Sequence, residues 1–210
     1  MSLTITLIII VATVVVSLMA NSNTDLYAKM MFNPYQVVHR KEWYRVISHG
    51  FIHDKNSLLH LIFNMYVLYS FGGMAEQILA QKLGVFGLVF YVILYFGGMI
   101  VASIPSIVKH KDNYHYNSVG ASGAVSAVLF AMVALHPVLM DIGILFLPFK
   151  MPSIIFGVLY LAYEMYMQKR GGTNIAHDAH IWGAIYGVVI TLLFVPNAII
   201  NFINEIGTLL

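Results

Sequence analysis

The sequence predicts an all-α polytopic membrane protein whose core is a bundle of six transmembrane helices. Three observations carry that expectation. Of 210 residues, 60% are apolar and 10% charged, against about 25% charged in an average soluble domain, and the mean hydropathy is +0.81. Four stretches, 1–24, 57–75, 83–108 and 113–140, contain no Asp, Glu, Lys or Arg; each is near or above the ~18–20 residues that cross a bilayer core as a helix. The apolar runs are continuous rather than alternating, so the period-two pattern of barrel strands is not indicated. The length suits one membrane domain over residues 1–210 and leaves no room for a separate soluble one. Zero cysteines exclude disulfides, thiolate nucleophiles, Cys-ligated zinc and iron–sulfur centres. A net charge of +2 gives no reason to expect a nucleic-acid partner.

The first span covers about 3–20. It has no basic n-region, since the first basic residue is Lys29, and Leu18-Met19-Ala20 is a poor cleavage signal, so it reads as an uncleaved helix. A long loop, about 21–56, follows, rich in charge and aromatics. The second span is expected at about 57–75, the third at 85–104, and the fourth at 119–135, where His136-Pro137 ends it. The fifth is expected at 152–167 and the sixth at 179–195. Odd-numbered loops share one face and hold nine of the eleven Lys and Arg; only Lys82 and Lys150 lie opposite. That count places the odd loops in the cytoplasm, unless the long first loop folds into the bundle and its basic residues serve structure.

Polar groups inside spans are costly and point to function. Three clusters fall at the odd-loop ends. His60 and Asn64 stand four apart in the second span and share one helical face; the alternative is a pair of interhelical hydrogen bonds. The fourth span opens on Gly120-Ala121-Ser122-Gly123-Ala124. A serine at a helix N-terminus, flanked by glycines, has free backbone N–H groups beside it and little cover, which suits a nucleophile next to an oxyanion site. Small-residue packing explains the same run. The pattern is G-x-S-G, so the α/β-hydrolase elbow is not indicated. In the sixth span His180, Gly183 and Gly187 share a face, and the glycines allow a neighbouring helix to approach the imidazole. The bland reading is a bystander histidine at a tight helix pair. Together the clusters supply a hydroxyl, a base and donors at one depth on one side, the set that nucleophilic catalysis requires.

His60-x-x-x-Asn64, Gly120-x-Ser122-Gly123 and Ala176-His177-x-x-His180-x-x-Gly183 resemble, in this order, the motifs of the rhomboid intramembrane serine proteases. Glu42-Trp43-Tyr44-Arg45, followed by His49 and His53, is similar to that family's first-loop E-x-W-R signature, with Tyr44 where Trp is common. The resemblance covers essentially the whole chain. It implies a rhomboid-like six-helix core around a water-filled cavity, with Ser122 as nucleophile and His180 as base. The oxyanion would be held by the Ser122 N–H with His60 and Asn64, with Gly120 and Gly123 shaping the turn and His177 in a supporting role. Many members carry an aromatic residue four positions after the serine, stacked on the imidazole; here that position is Ser126.

The resemblance implies an intramembrane endopeptidase that cleaves membrane-anchored proteins in or near a transmembrane segment, without metal or cofactor, from a bacterial inner (plasma) membrane. Its partners are then transmembrane substrates and membrane lipid. The orientation it implies conflicts with the positive-inside count. No third acid is expected: Asp178, two residues before His180, points elsewhere on a helix, and Glu164, near the end of the fifth span, reads as a rim residue. The fifth span is the candidate gate, with Gly171-Gly172 as a hinge or a helix cap. Three other classes compete. A non-catalytic relative that escorts membrane proteins would usually lack the Ser or the His. An iron enzyme built on His49-x-x-x-His53 and His177-x-x-His180 would need more clustered histidines. A transporter would show internal repeats, and the sequence has no such duplication.

Overall fold

The computed structural model describes residues 4–143, 150–172 and 175–209. In chain order the elements are α1 (Ile5–Ser22), α2 (Thr24–Met30), α3 (Pro34–His39), α4 (Arg45–Ser48), α5 (Leu58–Val67) and α6 (Gly73–Leu83). Then come α7 (Val85–His110), α8 (Ser122–Leu135), strands β1 (Asp141–Gly143) and β2 (Lys150–Pro152), α9 (Ser153–Arg170), α10 (His177–Phe194) and α11 (Ala198–Gly207). A π-helical segment, Leu68–Gly72, joins α5 and α6 into one long helix. The protein is an integral membrane protein with a helical bundle at its core. Four of its helices are long and apolar enough to cross a membrane: α1, the α5–α6 helix, α7 and α10.

α1 is packed inside out relative to a helix of a soluble bundle. On α1 the buried stripe is Thr6, Ile9, Thr13, Ser17 and Ala20, while Ile8, Val11, Val15, Leu18 and Met19 are exposed. With lipid outside there is no hydrophobic gain in burying Leu over Ser, so small side chains that let backbones approach occupy the interface. At the centre stands α8, with every residue from Gly123 to Leu135 buried and with α7, α9, α10 and the α5–α6 helix around it. α10 lies directly against it. A Cβ at Gly183 would collide with the Gly123 carbonyl, and one at Gly187 with the Ala127 carbonyl. Those two glycines let the two helices touch backbone to backbone.

Three spans run longer than the sequence suggests. The second continues through Glu76 to Leu83, so loop two, expected at 76–84, is largely helix. Glu76 is tolerated because its carboxylate sits at the start of α1. Its Oε1 accepts the Ile5 N–H at 2.9 Å, and Oε2 accepts the Thr6 N–H at 2.9 Å and the Thr6 hydroxyl at 2.8 Å. A helix N-terminus has unpaired donors and partial positive charge, and this anion meets both. α7 continues past Pro105 to His110, and α9 to Arg170. The β1–β2 hairpin, with Ile142 opposite Met151, and the helix α11 were not expected. Glu205 of α11 accepts the Val138 and Leu139 N–H groups at 3.1 Å each, tying α11 to the segment after α8.

The long first loop does fold into the bundle. Arg45 is buried; its Nη1 donates to the Ala28 and Met31 carbonyls at 2.8 Å each, and Nε donates to Glu42 at 2.6 Å. This basic residue is therefore structural. Phe32 and Ser118 exchange both backbone hydrogen bonds at 3.0 Å, and His39 pairs with Asp112. Loops one and three thus share one face.

Candidate active site

Ser122 is the first residue of α8, so its backbone N–H has no acceptor within its own helix. α8 has 14 residues, or about 21 Å at 1.5 Å per residue, against roughly 30 Å of hydrocarbon. It is too short to cross, and the residues before it, Gly120 and Ala121, are buried in the bundle. The turn that leads into it is held from the first loop. Gly120, at φ +120, adopts a backbone conformation suited to glycine, and its N–H donates to the His49 carbonyl at 3.0 Å.

His53 supports the next residue. Ser17 donates its hydroxyl to the Phe51 carbonyl at 2.9 Å, so the His53 Nδ1–H, 3.1 Å away, must donate to the Ser17 oxygen. Nε2 is then the acceptor for the Ala121 N–H at 3.4 Å. Burial pushes the imidazole of His53 down to about 3 and that of His49 to about 4, since desolvation disfavours the charged ring. Both rings are neutral at pH 7. His49 and His53 were read from the sequence as part of a first-loop signature; in the structure they fix the turn that presents Ser122.

His60 lies over the same turn. A Cβ at Gly120 would stand 2.8 Å from His60 Cε1 and 3.1 Å from Nε2. Asn64 is buried one turn further along and donates one Nδ2 hydrogen to the His60 carbonyl at 2.8 Å. Its amide retains a second N–H. Across the interface, a Cβ at Gly123 would lie 3.5 Å from the Ala179 carbonyl oxygen. The residues beside Ser122 and His180 are therefore in van der Waals range. A cavity of about 30 Å³ is lined by Ser122, His49, Ser103, Ser106 and Ser118, among others. That is room for a water or two with polar partners.

Glu164 is not a rim residue. It is 4% exposed and lies between two rings. Its Oε1 is 3.0 Å from His180 Nδ1, and its Oε2 is 2.5 Å from His177 Nδ1. Its position near the end of a span suggested the rim, but α9 continues to Arg170 and turns this residue toward the two rings of α10. Asp178 does point away, as expected: it accepts from Ser106 of α7 at 3.3 Å. The ring missing at position 126 comes from elsewhere. Tyr160 of α9 lies roughly parallel to His180, 6.5 Å between centroids and 27° between planes, and its hydroxyl is 3.2 Å from Ser126 Oγ. Gly157, Tyr160 and Glu164 share a helical face, a signal in the sequence that went unused.

Glu164, His177 and His180 are also the group, among the described residues, that could hold a metal ion, with ligand atoms within 4.8 Å of one another. His49 and His53 lie outside it.

A family model described as the rhomboid domain matches residues 40–197. The chain is 30% identical over 171 residues to rhomboid protease GlpG of Haemophilus influenzae, covering 79% of this chain and 76% of that protein. It is 26% identical over 145 residues to RHOMBOID-like protein 12, mitochondrial, of Arabidopsis thaliana, covering 62% of this chain and 40% of that one. With presenilin-associated rhomboid-like protein, mitochondrial, of Mus musculus it shares 30% identity over 136 residues, covering 63% of this chain and 33% of that one. The chain spans less than half the length of these two mitochondrial relatives.

Proposed function

The chain belongs to the rhomboid family, and we propose that it is an intramembrane serine endopeptidase with Ser122 as nucleophile and His180 as base. One observation carries this reading. Ser122 opens a helix whose N-terminus is sunk in the bundle, and Gly123 faces Ala179, the residue before His180, across the α8–α10 contact, which supports pairing the two. The Ser122 oxygen attacks a peptide carbonyl while His180 takes its proton and passes it to the departing amine. The C–N bond breaks and an ester remains on Ser122. Water, deprotonated by His180, cleaves the ester and releases the carboxyl product. The developing oxyanion would be met by the Ser122 N–H, the His60 ring and the free N–H of Asn64.

The substrate is a membrane-anchored protein, because a cavity enclosed by spans is reached laterally by another helix. Its scissile segment must expose carbonyls that a regular helix would pair, so helix-breaking sequence is expected there. We place the protein as a single membrane domain in a bacterial plasma membrane, the bacterial relative being the one matched over most of both chains. The test is labelling by a fluorophosphonate, read by mass spectrometry at Ser122, beside cleavage of a membrane-anchored reporter. Ser122→Ala and His180→Ala are expected to abolish both with the folded protein retained. Cleavage by purified Ser122→Ala sinks the dyad, and a folded wild type that never labels is a non-catalytic escort.

A further inference from the structure

His180 needs a defined orientation to act as a base, and neither Ser126 of α8 nor Asp178 of its own helix provides one. Ser126 leaves the usual aromatic position empty of a ring, and Asp178 is engaged with Ser106 on α7. What surrounds the imidazole comes mainly from α9. Glu164 presents one oxygen to His180 Nδ1 and the other to His177 Nδ1, and the Tyr160 ring lies alongside. From α5, His60 is within electrostatic reach, and His177 is the other titratable neighbour on α10.

From this geometry we infer that Glu164 is a positioning residue for His180, acting with Tyr160, so that the base is oriented from the fifth helix. An ionised carboxylate is acceptor-only, so each Nδ1 facing it carries the hydrogen. With Nδ1–H held by Glu164, the lone pair of His180 lies on Nε2, the atom left to take the proton from Ser122. A buried acid fixing tautomer and ring plane in this way is the role of the third member of a serine-protease triad. His177 shares the load: a lone carboxylate inside a bundle is costly, and two donors satisfy both of its oxygens. Tyr160, tethered to Ser126 by its hydroxyl, limits tilting of the ring. The inference rests on the protease reading above.

The experiment follows the rate of fluorophosphonate labelling of Ser122 in full-length wild type and Glu164→Gln. Labelling in the variant is expected to slow about 10²-fold. With a membrane-anchored reporter, kcat falls and KM holds, as for an interaction used in the transition state. Equal rates overturn the positioning role alone, whereas a wild type that never labels overturns the protease reading. The second measurement needs no variant. Imidazole ¹⁵N shifts of resting wild-type protein are expected to show His180 protonated at Nδ1, and an Nε2–H tautomer overturns the inference. So does one equivalent of zinc that survives purification and is lost in Glu164→Gln, which assigns the three side chains to an ion.

Discussion

α8 and α9 lie side by side and are held in opposite ways. In α8, thirteen of fourteen residues are buried. In α9 only Ser153, Gly157 and Glu164 of eighteen are buried, and its outer face exposes Ile155, Val158, Leu159, Tyr163 and Tyr166. The proposed nucleophile therefore sits on the most enclosed helix, while the groups facing the proposed base sit on one gripped from one side. The contrast divides the labour: α8 supplies a fixed point of attack, and α9 supplies contacts that a modest displacement would withdraw.

The sharpest way to break the fixed side is Gly183→Leu. The new side chain meets the Gly123 carbonyl, and backbone cannot yield as a flexible side chain can. We expect loss of folded protein, or of all activity in what folds, seen as a collapse in thermal stability and labelling; overpacking typically costs about 1–3 kcal/mol, and here more. Asn64→Ala leaves both helices in place and removes one oxyanion donor. Such donors are typically worth ~10²–10³-fold, and turnover should fall toward the lower end because the other donors remain.

The α9 side is probed by Tyr160→Ala and Tyr160→Phe. Loss of the ring should slow cleavage up to about tenfold, matching the roughly 0.5–1.5 kcal/mol of an aromatic pair. Tyr160→Phe keeps the ring and loses the hydroxyl that meets Ser126, so it should slow cleavage by less than Tyr160→Ala. Equal losses in both variants would show that the hydroxyl, not the ring, matters. The last test reads stability rather than rate. His49 and His53 titrate at about 4 and about 3 when folded and near 6.5 when unfolded. The unfolded chain then binds more protons between those values, so stability is full above about pH 6.5 and falls as pH drops toward 4. Melting at pH 7.5 and 4.5 checks the sign, and His53→Gln should flatten the difference.

The bundle was legible because charge-free runs of spanning length leave few alternatives; Ser122, His60 and Asn64 stood out as candidates because polar residues in such runs are rare, and His180 because Gly183 and Gly187 share its face. What was misread has one physical cause. Glu76 and Glu164 were treated as charges that belong at a helix end, because a desolvation cost can be read residue by residue while the partner that repays it cannot. For Glu76 that partner is 70 residues away at Thr6, and for Glu164 it is 16 away at His180. The swap of a ring from position 126 to Tyr160 is hidden for the same reason: the vacancy is local, its filling is not.

Glu76 carries a consequence for how the chain is built. In hydrocarbon an unpaired backbone N–H costs several kcal/mol, and a carboxylate within a span about 2.5–3.5 kcal/mol on insertion scales. α1 begins with the N–H groups of Ile5 and Thr6, and the second span carries the acid that they need. The first helix can enter lipid on its own hydropathy, yet its opening turn stays unsatisfied until residue 76 has left the ribosome. The order of synthesis thereby becomes an order of assembly, with the first two spans locking as a pair before the helix bearing Ser122 has been made.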